Sequence, residues 1–185
     1  NHILPNTDDG AKNIEVSINM LREAHRQGIT DVVNTVHYQH PKMEGKKIDQ
    51  RIIEKSTLEV QHILDNENIN VRIHIGAEVF FLPNLPEIIE DPITTIGNGK
   101  YMLIEFPIMQ FPINYEETLF QLCLNNVTPI IAHPERYRLV QNETSLVDSW
   151  INRGYIIQVD CASILGIFGK ETQLAALSLL EHNLC

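Results

Sequence analysis

A chain of 185 residues has room for one domain with a sizeable core. Hydrophobic residues make up 43% and charged residues 21%, ordinary values for a soluble globular protein. There is no signal-peptide pattern and no apolar run near the roughly 18 residues of a membrane span. Fourteen Lys and Arg against twenty-four Asp and Glu give a formal charge of −10, which argues against generic nucleic-acid binding and is compatible with cation binding.

The chain opens with Asn1-His2-Ile3-Leu4-Pro5-Asn6-Thr7-Asp8-Asp9-Gly10, a short apolar exit followed by a polar turn that holds one imidazole and two carboxylates. Those are metal ligands by type, and their place at the first residues implies that whatever precedes His2 belongs to the same site. Ile14, Ile18, Leu21 and Ala24 mark one face of a helix that Gly28 ends. Residues Asp31 to Val36 read as a strand ending at His37, and about Ile48 to Glu67 as a longer helix with Ile52, Val60 and Ile63 among its apolar positions. Val71, Ile73, Ile75 and Ala77 alternate with polar residues in a strand that runs into Glu78. Pro83, Pro86 and Pro92 break the next stretch into loop and at most a short helix. Tyr101 to Ile104 is an apolar strand ending at Glu105. Leu119, Leu122 and Cys123 mark a helix, and Pro129 to Ala132 a buried strand ending at His133. Leu146, Val147, Trp150 and Ile151 mark another helix, Tyr155 to Val159 a strand, and Thr172 to Asn183 a last helix with Leu174, Leu177 and Leu180.

This βα repeat predicts an all-parallel sheet covered by helices, either open or closed as a barrel. Five strands are internal; a sixth would end near His2 and a seventh could follow Cys185. Cys123, Cys161 and Cys185 form no CxxC pattern, so reduced thiols and a cytoplasmic location are expected.

His2, His37, Glu78, Glu105 and His133 each fall at the carboxyl end of a predicted strand or one residue beyond it. That edge is where active sites form in parallel α/β architectures. With Asp9 they offer three imidazoles and three carboxylates, a mixed nitrogen and oxygen set that suits Mn, Fe or Zn. So many ligands suggest more than one metal, and two-metal sites serve phosphoester hydrolysis by holding the attacking and departing oxygens. Blander readings stand beside these. Asp8 and Asp9 before Gly10 can simply form a turn. His40 lies in a Pro- and Lys-rich loop and is read as solvated. His25, His62, His74 and His182 receive no role.

In His133-Pro134-Glu135-Arg136-Tyr137-Arg138, Arg136 is suited to phosphate, through bidentate hydrogen bonds and charge. The alternative is a salt bridge with Glu135 or another acid. Gly166-Ile167-Phe168-Gly169-Lys170 has no P-loop spacing and reads as a tight connection to the last helix, with Lys170 exposed. No Cys-x5-Arg phosphatase loop is present.

The blocks His2-Ile3-Leu4-Pro5, Asp8-Asp9-Gly10-Ala11, Gly76-Ala77-Glu78, Leu103-Ile104-Glu105-Phe106-Pro107 and Ile131-Ala132-His133-Pro134-Glu135-Arg136-Tyr137 resemble, in order and approximate spacing over the whole chain, the bacterial PHP-type (polymerase and histidinol phosphatase) tyrosine phosphatases, manganese-dependent enzymes of capsule and exopolysaccharide operons. The resemblance implies a single PHP metallophosphatase domain over 1–185, a distorted seven-stranded β/α (TIM-like) barrel lacking here its first and last strands. It implies Mn2+, up to three ions, with His2, Asp9, His37, Glu78, Glu105 and His133 as ligands, Glu78 bridging two of them, and Arg136 binding phosphate. It implies hydrolysis of phosphotyrosine on the tail of a membrane-associated autokinase that controls polysaccharide assembly, without nucleic acid and without membrane insertion. Further ligands would lie outside this chain: a His two residues before His2, and an Asp and a His in a closing Ser-Asp-x-His segment. That favours a fragment of an intact enzyme. The rival readings are a small-metabolite phosphatase of the histidinol-phosphate type and a truncated, non-catalytic barrel that binds the kinase.

Overall fold

The computed structural model describes residues 2–43 and 48–185, so Asn1 and part of the Lys-rich loop after His40 lie outside the described residues. Five parallel strands run in sequence order: β1 (Asp31–Tyr38), β2 (Arg72–Phe80), β3 (Tyr101–Glu105), β4 (Thr128–Ala132) and β5 (Ile156–Gln158). Each of the five internal strands expected from the sequence is present. β1 and β2 run two or more residues past their expected ends, so His37 and Glu78 lie inside the ladder as direct partners rather than in loops.

The helices are α1 (Ile14–Arg26), α2 (Gln50–Asn66), α3 (Tyr115–Leu124), α4 (Arg138–Asn142), α5 (Ser145–Asn152), α6 (Cys161–Ile164) and α7 (Lys170–Glu181). The Asn13 side chain caps α1 by accepting from the Val16 N–H at 3.0 Å, and Asp49 caps α2 by accepting from Arg51 at 2.9 Å. Such caps contribute about 1 kcal/mol each. Two short helices, α4 and α6, are absent from the sequence reading because four or five residues are too few to show a period.

Side chains alternate across the sheet, and the alternation divides it cleanly. Val32, Val36, Ile73, Ala77, Val79, Met102, Ile104, Ile131 and Ile157 face the helices and belong to the main core cluster with Ile18, Leu21, Val60, Leu64, Leu119 and Leu179. Thr35, His37, Glu78, Leu103, Glu105, Ile130 and Gln158 carry the opposite parity, and all line one cleft on the other face. The register sets their heights: His37 pairs with Glu78, Glu78 with Leu103, and Phe80 with Glu105.

The predicted apolar face of the last helix needs correction. Leu174, Leu177 and Leu180 are exposed, and the buried stripe is Thr172, Ala175, Ala176 and Leu179. Small residues allow α7 to sit closely on α6 and on the turn at residues 134–136. Ile52 in α2 is likewise exposed; Ile53 takes the buried position.

Beneath the ends of β3 and β4, Phe106, Phe111, Tyr137 and Trp150 pack ring to ring. The fully buried Tyr137 hydroxyl donates to Ala132 O at 2.7 Å and accepts from the Phe106 N–H at 3.0 Å, which ties the two strand ends together.

Candidate metal centre

The backbone of the opening segment is anchored to β1. Buried Asn34 of β1 accepts from the backbone N–H groups of Ile3 and Leu4 at 3.2 and 3.3 Å. The loop then folds back, and the Ala11 N–H donates to His2 O at 3.1 Å. A Cβ at Gly10 would lie 2.0 Å from that oxygen, so only glycine lets the turn close onto His2.

Both ring nitrogens of His2 face carboxylates: Nδ1 is 2.7 Å from Asp8 Oδ2, and Nε2 is 3.0 Å from Glu78 Oε2. Burial disfavours the charged ring, but the two carboxylates outweigh it and raise the His2 pKa to about 9. The Asp8 side chain is buried and also accepts from the Gly10 N–H at 3.0 Å. Burial would raise its pKa; His2 reverses that and holds it below the usual range. The turn reading of Asp8 therefore holds, yet the side chain does more, fixing the ring plane of His2.

Glu78 is the hub. Its Oε1 lies 2.9 Å from His133 Nε2 and its Oε2 3.0 Å from His2 Nε2. A buried carboxylate without partners costs several kcal/mol. Here the hydrogen bonds from His133 and His2 overcome burial and push its pKa well below the usual range. Glu105 has the opposite environment: burial and the charge of Glu78 raise it to about 6, and its Oε2 is buried without a hydrogen bond.

His37 Nε2 lies 3.3 Å from Asp9 Oδ1, while its buried Nδ1 has no hydrogen bond and faces Glu78 and Glu105 at 3.7 and 3.8 Å. Burial, and then the charge of His2, lower its pKa. His133 reaches the cleft by a local device. Continued extension would send its side chain to the core face, with Pro129 and Ile131. Instead it adopts the left-handed conformation (φ 33°, ψ 56°), and its N–H donates to Gln158 O at 2.7 Å. A non-glycine residue held there stores on the order of 1–3 kcal/mol of strain, which is typical of functional positions.

The six candidate ligands expected from the sequence thus line one cleft of about 620 Å³, together with Arg136. His40, expected to be solvated, is there too. Its side chain is only 10% exposed, with Nε2 3.4 Å from Glu105 Oε2. The Lys42 N–H donates to its Nδ1 at 3.0 Å, so the ring proton sits on Nε2 and His40 offers a donor to the cleft rather than a lone pair. Arg136 forms an ion pair, though with Asp160 and not with Glu135. Glu135 is fully buried and accepts from the Asp160 N–H at 3.0 Å.

The donor set fits divalent cations. His2, Asp9 and His37 can each bring a ligand atom within 4.8 Å of the others, and so can His37, Glu78 and Glu105. Buried atoms with no hydrogen-bond partner, His37 Nδ1 and Glu105 Oε2, belong to these groups. Mixed imidazole and carboxylate donors suit Mn, Fe or Zn better than Ca or Mg.

The family model described as capsular polysaccharide synthesis, CpsB/CapC, matches residues 1–185. The chain belongs to the CpsB/CapC family. Tyrosine-protein phosphatase YwqE of Bacillus subtilis is 32% identical over 184 residues, covering 99% of this chain and 71% of YwqE. Tyrosine-protein phosphatase CpsB of Streptococcus agalactiae is 30% identical over 189 residues, covering 99% and 76%. A solved structure among those of YwqE from Bacillus subtilis and CpsB from Streptococcus pneumoniae, described as metal-dependent tyrosine phosphatases, superimposes with a TM-score of 0.88 at 33% identity, covering 99% of this chain and 73% of that one.

Within the family frame, His40, Lys42 and Asp160 in the cleft lining, and Asp8 behind His2, are the ionisable residues to which the sequence pattern assigned no chemical part. Asp8 carries a sequence signal, the Asp-x-Gly turn. Asp160 carries a weaker one, a capping residue before a short helix, and its Oδ1 accepts from the Ala162 N–H at 2.8 Å. No helix among the described residues is long and apolar enough to cross a membrane.

Proposed function

We propose that this chain is a metal-dependent phosphomonoesterase acting on phosphotyrosine, with the tyrosine-rich tail of a membrane-associated autokinase of capsule assembly as its substrate. The observation that carries this reading is the buried Glu78 carboxylate held between His2 and His133, next to Glu105 and His37, whose buried donor atoms lack partners. His2, Asp9 and His37 would hold one ion, and His37, Glu78, Glu105 and His133 would hold the others, with Mn2+ the favoured metal. Bound divalent ions supply Lewis acidity toward phosphoryl oxygens and lower the pKa of water.

The chain's own residues do the rest. Asp8 orients the His2 ring. Arg136 carries the positive charge that receives phosphoryl oxygens, and its Nε is buried without a partner. His40 directs an N–H toward Glu105. Ile108 and Phe168, both about half exposed, line the cleft and give an aromatic ring apolar surface. The phenolate of tyrosine leaves readily, so no strong general acid is needed. The parity of the sheet suits the barrel part of this reading, because the cleft face would become the interior if further strands closed it.

Glu78→Gln tests the site directly. It is expected to abolish metal-dependent hydrolysis of an aryl phosphate while circular dichroism and melting show a folded protein. Undiminished turnover would overturn the assignment. Turnover on a phosphotyrosine peptide against histidinol phosphate tests the substrate class, and preference for the latter moves the chain to a small-metabolite phosphatase.

A further inference from the structure

Arg136 is held on two sides. Its Nη2 donates to Asp160 Oδ2, and the face of its guanidinium lies 3.8 Å from the centre of the Phe168 ring. We propose that Asp160 and Phe168 form a clamp that fixes Arg136 for the phosphoryl group, with Asp160 as a positioning residue and Phe168 as its platform. The inference rests on the phosphatase reading for the identity of the anion.

Three features argue that the clamp is built rather than incidental. Asp160 is itself immobilised: its N–H donates to the fully buried Glu135 at 3.0 Å, and its Oδ1 caps α6 through Ala162 at 2.8 Å. Only Oδ2 remains, and it points to Arg136. The segment carrying Phe168 is hydrogen-bonded on both sides of the ring. The Ile167 N–H donates to Ala162 O, the Gly169 N–H donates to Gly166 O, and Gln173 Nε2 donates to Ile164 O, all within 3.1 Å. Gly166 (φ 77°) and Gly169 (φ 94°) supply the left-handed turns on either side, so the Gly-Ile-Phe-Gly run is a scaffold for one ring. Phe168 is 46% exposed, which core packing does not explain; the guanidinium covers one face and the cleft receives the rest.

The chemistry follows from donor counting. A guanidinium has five N–H donors in a fixed plane. Asp160 takes one donor at Nη2 and Phe168 takes the face. Among the described residues the contact to Asp160 uses Nη2 alone, Nη1 has no hydrogen-bond partner, and Nε is buried without one, so the guanidinium keeps donors that the protein does not use. A free arginine would lose side-chain freedom on binding a phosphoryl group; a clamped one has lost it already.

The test uses the protein loaded with Mn2+, with para-nitrophenyl phosphate as substrate and inorganic phosphate as ligand, in Asp160→Asn and Phe168→Leu variants made with Arg136 present and in an Arg136→Ala background. Asn preserves the cap and the backbone link. Asp160→Asn is expected to raise KM and the phosphate dissociation constant about tenfold with kcat within about twofold, the pattern of lost uniform binding. Phe168→Leu is expected to raise both about threefold. In the Arg136→Ala background neither change has any further effect. Unchanged or tighter phosphate binding in Asp160→Asn overturns the clamp, because Asp160 would then compete with phosphate for Arg136. So does an equal loss without Arg136, because Asp160 would then act through the fold. Calorimetric phosphate binding reads the clamp even in the absence of turnover. A protein that binds phosphate through Arg136 but hydrolyses nothing would refute the phosphatase reading and leave the clamp standing; one that binds no phosphate refutes the clamp.

Discussion

The two faces of the sheet are made by the same strands and obey opposite rules. On the helix side, Val36, Val79, Ile104 and Ile131 are almost completely buried, and their stability is local and apolar. On the cleft side, the residues that alternate with them are His37, Glu78 and Glu105, whose buried polar atoms are in part unpartnered. The core face is filled mainly by apolar side chains, whereas the cleft face presents ligand atoms that cations would complete under the proposed function. Folding energy and chemistry are thereby separated by a single residue step along each strand.

Cutting the core face should have the largest effect. Ile104→Ala is expected to cost roughly 2–5 kcal/mol in urea unfolding, while metal affinity per folded molecule stays the same. Tyr137→Phe comes next, because it strands the buried Phe106 N–H and removes the link between the ends of β3 and β4. A loss of about 1–3 kcal/mol is expected, with weaker metal binding measured by calorimetry. A smaller effect with reversed sign is expected on the cleft face. The folded-state pKa of Glu105, about 6, lies above its ordinary value of 4.5, so the folded protein binds this proton more tightly. Its contribution is favourable below pH 4.5 and turns into a penalty as pH rises through 6. In chelated protein, Glu105→Gln should therefore be neutral at pH 4 and stabilising, by on the order of 1–2 kcal/mol, above pH 7. The same variant should lose most of the rise in melting temperature on adding Mn2+. Destabilisation of the chelated form at neutral pH would break the contrast between the faces. Leu174→Gln, on the exposed side of α7, should change stability by no more than about 0.5 kcal/mol.

The strands and the donor positions were readable because period-two alternation and the residue types ending each strand are written locally. What the sequence hid depends on direction and on partners distant in sequence. The residue pattern places His133 after a strand but carries no sign of the left-handed turn that swings it from the core side to the cleft. His40 looked solvated because its burial is created by Glu105 and Phe80, far along the chain. Arg136 showed its charge but not its partner, since Asp160 is brought beside it by the pairing of β4 with β5. The leucines of α7 misled because an apolar period says which residues share a face, not which face the neighbouring helix and turn will cover.

The pairing of His37 with Glu78, and of Phe80 with Glu105, gives the strands a reading frame. One residue inserted or deleted between Arg72 and Ala77 would turn Val79 into the cleft and press a carboxylate against the apolar layer. Two residues would restore the parity and merely shift the donor along the groove. Length variation in these strands should therefore be tolerated in even steps and rejected in odd ones.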